Sequence, residues 1–464
     1  MAGIGFRLKK YFTDKDVWTN LKGTVYSIII SSGPWLISVL SVAFISVYAS
    51  RDLQNQDIFV LKSIICYTFA FSLILFGIIE MPVTRYLADK LYISDQSSFR
   101  NTYLVLAAVF IISGSVFGSL FYYFFDWGLV LKLICICFLI SVLLIWHSMV
   151  FLSAAKNYHH IIGSFILGGL SSVVFGLVLG SYLSLIGYIL GYTIGQAVIA
   201  LLLARNVFSE FDDYEYVSFE VFSYFKNFKI LIFVGLFYYL GIWVDKILFW
   251  FTSVGQHVEG LFYTNLHYDT AMFLAYLTIV PSLAVFLVQV ETNFYVKYAY
   301  FYRSIENKNS LPFLEQSVDE IIESFRSTLV SLIKLQLFIT IICWYFSSSI
   351  MDFLNLPSLM EPIFRYGVIG AFLQVLFLIV NIVLLYFKEA KPVLINYLFF
   401  FGSNLIFSAL SIYGGHRFYG LGYLLSCLFT LMISYGFLIK TLKNLNFMTF
   451  MQQPLSNKSF SESV

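Results

Sequence analysis

The sequence predicts an all-α polytopic membrane protein whose twelve transmembrane helices form two pseudo-symmetric six-helix lobes. Three observations lead there. Of the 464 residues, 59% are hydrophobic and 12% are charged, with a mean hydropathy of +0.83, whereas soluble domains carry about 25% charged residues. Twelve apolar runs recur along the chain, each long enough to cross roughly 30 Å of hydrocarbon. Landmarks of the first six runs return, in order, in the last six.

The first run, 23–48, contains Gly33-Pro34-Trp35 within "SSGPWL". Pro34 frees a carbonyl one turn earlier and predicts a bend, which a membrane helix tolerates when a hydroxyl, water or a neighbouring helix satisfies the freed group. Such a bend suits a helix beside a cavity, and a passive kink facing lipid is the alternative. The second run, 58–83, ends near Glu80 in "IIEMPVTRY". Runs three and four, 102–125 and 128–153, hold Cys135, Cys137 and His147. Runs five and six, 160–180 and 183–204, include Gly187, Gly191 and Gly195 at every fourth position, a spacing that permits close helix contact. The remaining runs span 228–251, 267–295, 328–350, 361–387, 392–413 and 418–440. The predicted organisation is an N-terminal lobe at 1–205, a cytoplasmic linker at 206–227, a C-terminal lobe at 228–440 and a polar cytoplasmic tail at 441–464.

The internal repeat rests on three matches. Gly33-Pro34-Trp35 corresponds to Gly241-Ile242-Trp243, both mid-span in the first helix of a six-span group. Glu80 corresponds to Glu291, each near the inner end of the next helix, and "GYIL" at 187–190 corresponds to "GYLL" at 422–425. The second half is longer because the segment 298–327 exceeds its partner at 86–101. Transporters built from such repeats place their pathway where the halves meet.

Basic residues orient the chain. Loops on one side hold Arg7, Lys9 and Lys10, then Arg85, Lys90 and Arg100, Lys226 and Lys229, Lys388 and Lys391, and Lys440 and Lys443, while the opposite loops hold chiefly Arg51 and Arg417. The excess of Lys and Arg on cytoplasmic loops predicts that both termini are cytoplasmic. The opening "MAGIGFRLKKYFTDKD" lacks a short apolar core with a small-residue cleavage site and does not read as a removable signal peptide. Net charge is +2, and no basic stripe interleaved with aromatics lies outside the spans, so nucleic-acid binding is not expected. The five cysteines are scattered through apolar runs without metal-ligand spacing, so no metal or other cofactor is expected. Cys135 and Cys137 should point to different helix faces.

At this point "MAGIGF", "SSGPWL", "YLGIWVDKILFWF" and "PSLAVFLVQVETNFYVKY" together resemble the Pel exopolysaccharide transporter family, PelG. That family is similar to a branch of the superfamily of polysaccharide-export and multidrug-extrusion (MOP) transporters. The resemblance covers residues 1 to about 440 and is most specific over spans 7 and 8. It implies a MATE- or flippase-like pair of six-helix lobes across a central cavity and alternating access. It also implies location in the inner membrane, in partnership with a cytoplasmic glycosyltransferase and accessory membrane proteins of Pel synthesis. The continuation "RLKKYFTDKD" is more basic than the family leads one to expect, and the tail "MQQPLSNKSFSESV" is polar. The resemblance supplies no set of transport residues, so these are sought in the chain itself.

Ionisable groups inside a span cost about 2.5–3.5 kcal/mol at its centre on insertion scales and usually face a cavity or a partner. Asp245 and Lys246 lie roughly 26 Å along span 7, in its outer part, and Asp269 enters span 8 from that side. Neighbours on a helix differ by about 100° in direction, so Asp245 is expected to find its partner on another helix and Lys246 to face Asp269. The trio then forms an outer gate or, alternatively, a fixed interhelical salt bridge. Glu80 and Glu291, followed by Arg85 and Lys297, form either an inner gate or an interfacial anchor. Gln374 and Asn404 supply neutral hydrogen-bonding groups midway through their spans, and Tyr239, Trp243, Lys246 and Trp250 share one helical face. That face suits sugar rings, although with 51 Phe and 33 Tyr an aromatic stripe also serves packing or lipid contact. Lys246 is the only cation well inside the first eight spans, which favours a neutral or amino-sugar polymer over a strongly anionic one.

His147 is either a proton-coupling group or a hydrogen-bonded packing histidine. Residues 311–326 form an amphipathic helix with Leu314, Val318, Ile321, Ile322 and Phe325 on one side. This helix and the acidic "SEFDDYEYVSFE" are the candidate docking surfaces for cytoplasmic partners. Three functions are weighed: export of an exopolysaccharide, a cation- or drug-proton antiporter using Asp245 or Asp269, and a membrane-embedded transferase. The last lacks a sizeable soluble domain, a Gly-rich phosphate loop and a paired nucleophile and base.

Overall fold

The computed structural model describes residues 17–155, 158–211 and 219–451, and the side chains of 17–32, 34, 35, 155, 158, 159, 287, 288, 291 and 451 lie outside that description. The chain opens with α1 (Val17–Asp52), α2 (Asn55–Tyr92), α3 (Phe99–Tyr122) and α4 (Leu129–Ala155). It continues with the 53-residue α5 (Tyr158–Glu210), the short α6 (Val221–Asn227) and α7 (Lys229–Phe251). A hairpin of β1 (Gln256–Glu259) and β2 (Phe262–Thr264) leads to α8 (Leu266–Leu277), α9 (Val280–Gln289), a π-helical segment at Val290–Phe294 and α10 (Tyr295–Glu306). The last elements are α11 (Leu311–Tyr345), α12 (Ser347–Phe353), α13 (Met360–Tyr386), α14 (Ala390–Gly414), α15 (Leu421–Lys443) and α16 (Leu445–Met451).

Among the described residues, 10 helices are long and apolar enough to cross a membrane. One of them, α5, carries two of the twelve apolar runs, because non-helical angles at Ser184 (φ 52°, ψ −132°) fold it back on itself. The two arms of this hairpin approach along glycines. A Cβ on Gly195 would strike Ser172, one on Gly191 would strike Gly176, and one on Gly187 would strike the Leu179 carbonyl. The predicted small-residue face is thus the contact surface inside α5. Helix α1 carries the first run and continues through Gly33–Trp35 without ending, and Gly33 is buried. The expected bend depends on Pro34, whose side chain lies outside the described residues.

The described chain groups into two compact units, Ser32–Asp269 and the remainder. This packing division and the repeat-based division at 206–227 are different partitions. Helix α7 packs with the earlier helices because Gly235 meets Gly77 of α2 so closely that a Cβ on Gly235 would strike the Gly77 carbonyl. Both packing boundaries fall beside sequence landmarks. One precedes Gly33-Pro34 and the other follows Asp269.

Unit Ser32–Asp269 has an apolar cluster at each end. One gathers Tyr86, Phe99, Tyr103, Phe151, Phe211 and Val221 near the basic loops. The other gathers Tyr122, Phe125, Trp250 and Phe262 at the opposite end. Phe262 belongs to the β-hairpin, whose register pairs Gln256 with Thr264 and His257 with Tyr263. Its turn places Gly260 at φ 55°, a left-handed conformation that glycine adopts without steric cost.

In the other unit, span 8 is broken. Helix α8 ends at Leu277, Pro281 sits at the start of α9, and a π-helical segment follows. Gln336 of α11 bridges the break. Its Nε2 donates to the Thr278 carbonyl at 3.3 Å, and its Oε1 accepts from Ser282 at 2.5 Å, so a carbonyl left open where the helix breaks is satisfied from a neighbour. Helix α11, with 35 residues, is about 52 Å long and exceeds the roughly 30 Å hydrocarbon core. Its first turns pack on α10, with Leu314, Val318, Ile321 and Phe325 buried and Lys297 2.6 Å from Glu320. The apolar stripe of 311–326 is therefore covered within the chain, which leaves Glu315, Asp319 and Glu323 exposed. The acidic linker stretch lies in part, at 212–218, outside the described residues.

Candidate functional site

Helix α7 organises the site. The Gly77–Gly235 crossing sets its distance from α2, and the side chains beyond the crossing meet partners on three other elements. Nearer the basic end, the Tyr239 hydroxyl donates to Glu80 Oε2 at 3.0 Å. These two predicted residues are therefore in contact, joined by a hydrogen bond between α7 and α2. Glu291, the repeat partner of Glu80, stands in the π-helical segment. Its side chain lies outside the described residues, so a symmetric pair of gating carboxylates is an expectation carried forward.

Toward the other end of α7, Asp245 is fully buried and Lys246 is 7% exposed. The Lys246 ammonium stands 3.2 Å from both Asp245 oxygens and donates to the Ile242 carbonyl at 3.0 Å. The side chains of these neighbours thus converge despite the angle between their helical positions, because a lysine stem is long enough to curl back. This corrects the expectation, since the charged partner of Asp245 is the adjacent Lys246 of its own helix, and another helix supplies only a second partner. That partner is the neutral Tyr268 of α8, whose hydroxyl donates to Oδ2 at 2.7 Å. The Tyr268 ring stacks on Phe249 with centroids 3.7 Å apart.

Asp269 follows immediately. Trp250 Nε1 donates to its two oxygens at 3.0 and 2.8 Å, and the Thr264 hydroxyl donates at 3.2 Å. Trp250 in turn stacks on Tyr67 with centroids 4.6 Å apart. Tyr67 clamps the hairpin, because its hydroxyl donates to the Tyr263 carbonyl at 2.8 Å and accepts from the Tyr263 amide at 3.1 Å. The hairpin is further held by Trp127 Nε1, which donates to Glu259 at 2.7 Å.

Of the expected aromatic face, Tyr239 and Trp250 are committed to carboxylates. Trp243 lies with its ring centroid 5.9 Å from the Lys246 ammonium, and its buried indole N–H has no hydrogen-bond partner among the described residues. Chemically the cluster holds two carboxylates, one ammonium and three neutral donors around the last residues of one compact unit. A chain that must move there has to break charge-assisted hydrogen bonds, which are about twice as strong as neutral ones.

Gln374 and Asn404 lie in the other unit and are both buried. The Tyr423 hydroxyl donates to Gln374, and the Ser408 hydroxyl donates to Asn404 at 2.9 Å. Their polar groups join helices α13 and α15 and brace α14. His147 is a packing histidine. Its Nε2 meets the Tyr103 carbonyl at 3.0 Å, and its ring stacks on Tyr103 at 4.7 Å. Cys135 is buried and Cys137 exposed, as their spacing requires. Near the basic end, the Lys90 ammonium pairs with Asp95 at 2.8 Å and Glu220 at 2.9 Å. The Lys90 hydrogen bond, with help from Ser97, holds the Asp95 carboxyl below the usual carboxylate range.

The residues missed from sequence are Tyr67, Tyr268, Thr264 and the hairpin. Tyr268 stood beside Asp269 and carried no separate signal. The hairpin did carry one, since the glycine-containing pair Gly260-Leu261 separates short runs containing Val258, Phe262, Tyr263 and Thr264.

Comparison with known proteins identifies the architecture. The family model described as "PelG: Putative exopolysaccharide Exporter (EPS-E)" matches residues 1–450. The chain belongs to this family. No curated protein sequence matches it. Among solved structures, this PelG-family chain is similar to a MOP superfamily transporter from Pyrococcus furiosus at TM-score 0.66 and 13% identity, covering 90% of this chain and 96% of that one. It is also similar to a multidrug resistance MATE family transporter in an outward-facing conformation, at 0.65 and 12% identity over 90% and 96% of the two chains. A third is a MATE transporter in a bent conformation, at 0.64 and 13% identity over 97% and 99%. These similarities show that the chain has the MOP transporter fold, and the family match together with 10 helices long and apolar enough to span, among the described residues, makes it a multi-pass membrane protein.

Proposed function

We propose that this PelG-family chain exports an exopolysaccharide across the inner membrane, along a passage between its two repeat-related six-helix lobes. The observation that carries the proposal is the family match over residues 1–450. In this reading the basic side is cytoplasmic and both termini lie there. The chain carries the polymer and does not synthesise it. A cytoplasmic glycosyltransferase and accessory membrane proteins of Pel synthesis deliver the glycan. The scarcity of cations within the first eight spans supports a neutral or amino-sugar polymer.

The cluster of Asp245, Lys246 and Asp269 is the proposed outer gate, and Glu80 with Tyr239 is part of the inner one. One observation supports movement at the first site: the similar MATE structures include both outward-facing and inward-facing conformations. In this reading Pro34 supplies a bend in the first span.

The test is deletion of the gene followed by measurement of secreted polymer and of drug sensitivity. Loss of secreted polymer with unchanged drug sensitivity is expected. Normal secretion in the deletion strain refutes export, and increased drug sensitivity alone favours an antiporter on the same scaffold.

A further inference from the structure

The short helix α6 plays no part in the transport scheme, yet its surface is divided sharply. One face is fixed to the spans. Val221 is fully buried, Tyr224 meets Tyr86 edge-on with centroids 5.2 Å apart, and Glu220 is 2.9 Å from the Lys90 ammonium. The other face is bare and aromatic. Phe219 is 63% exposed, Phe222 40% and Phe228 38%, and the rings of Phe219 and Phe222 stack with centroids 6.2 Å apart. Lys226 and Lys229 are exposed beside them, and the Arg85 guanidinium lies 5.6 Å over the Phe228 ring.

Two features identify what covers this face. Helix α7 starts at Lys229, one residue after Phe228, so α6 is tied to the level at which a span leaves the hydrocarbon. The neighbouring acids are already paired, Glu220 with Lys90 and Asp89 with Arg85, so Lys226 and Lys229 make the bare face net positive. Phenylalanines flanked by lysines at that level match the composition of helices that lie in the membrane interface, and basic side chains there attract acidic headgroups.

We propose that α6 lies in the plane of the bilayer surface, with Phe219 and Phe222 among the upper acyl chains and Lys226 and Lys229 on the phosphates of anionic phospholipids. The part of the connection formed by α6 is then a membrane-seated strut, held on one face by the spans and on the other by lipid. This assignment stands independently of the polymer that the protein carries.

The full-length protein carrying a benzoyl-phenylalanine photoprobe in place of Phe222 tests it, in nanodiscs of mixed phosphatidylcholine and phosphatidylglycerol. After irradiation, mass spectrometry of the adducts should show lipid attachment. Phosphatidylglycerol should be enriched over its bulk share by about fivefold for each lysine that reaches a headgroup. Adding Lys226→Glu and Lys229→Glu should return the adducts to the bulk lipid ratio while lipid attachment persists. The same probe at Phe219 repeats the measurement should the Phe222 variant fold poorly. Adducts confined to polypeptide, an absence of lipid adducts at both positions, or a wild-type ratio equal to the bulk would overturn the assignment.

Discussion

Replacing Lys246 with methionine removes the charge and keeps most of the side-chain volume. In the structure the ammonium lies 3.2 Å from both oxygens of Asp245, and the Asp245 side chain is fully buried. Its remaining partner in the cluster is the Tyr268 hydroxyl at 2.7 Å, one neutral donor for a carboxylate with two oxygens. Removing one member of a buried ion pair costs about 3–5 kcal/mol, because the other charge is left uncompensated. Neutralising both members at matched volume is often neutral or even stabilising. The pair of variants Lys246→Met and Asp245→Asn/Lys246→Met therefore separates a structural ion pair from a gate. Thermal unfolding of the purified protein should show the single variant strongly destabilised and the double variant restored. Export measured at matched protein level should stay low in the double variant, because a neutral pair no longer holds the closed position through charge. Export restored along with stability would refute the gate and leave a fixed structural salt bridge. A single variant as stable as the wild type would refute the energetic reasoning itself.

Other expectations concern the scaffold. Gly235→Ala should destabilise the protein by about 1–3 kcal/mol, since its Cβ would strike the Gly77 carbonyl, whereas Gly436→Ala, with open space around it, should cost nothing; equal unfolding temperatures for the two variants would contradict the close crossing of α2 and α7. Ser184→Gly should raise stability by about 1–3 kcal/mol, because Ser184 holds φ at 52° where the α5 hairpin turns. An unchanged or lowered unfolding temperature would show that the serine itself is needed at the turn.

The span pattern was legible in the sequence because hydrocarbon imposes a length and a composition that each apolar run displays by itself. The glycine series at 187, 191 and 195 was legible for a similar reason, since its period alone states that another backbone comes close. The cluster around Asp245 was legible only in part. The cost of charge in a span singled out Asp245, Lys246 and Asp269, and all three do stand together. Their bonding was not readable, because the distance between Lys246 and Asp245 depends on how a flexible stem curls. Tyr67 is a stronger case. It lies far along the chain from Tyr263 and looks like any of 33 tyrosines, yet it locks the hairpin in place through two hydrogen bonds.

Gln374 and Asn404 teach the reverse lesson. A polar side chain inside a span is conspicuous in sequence whether it lines a path or joins two helices, and both of these turn out to hold buried partners. The apolar side of 311–326 was read correctly as one face of a helix, but what would cover that face was unknown until α10 was seen against it.

The sequence alone determined that the protein resides in a membrane, how many apolar runs it carries, and which positions hold costly charge, because each of these follows from local composition and period. Only the tertiary structure decided which partners those charges take, that α7 packs with α2 rather than starting a separate unit, and that span 8 is broken and bridged by Gln336. Those outcomes depend on contacts between residues distant in the chain, whose distances no local pattern encodes.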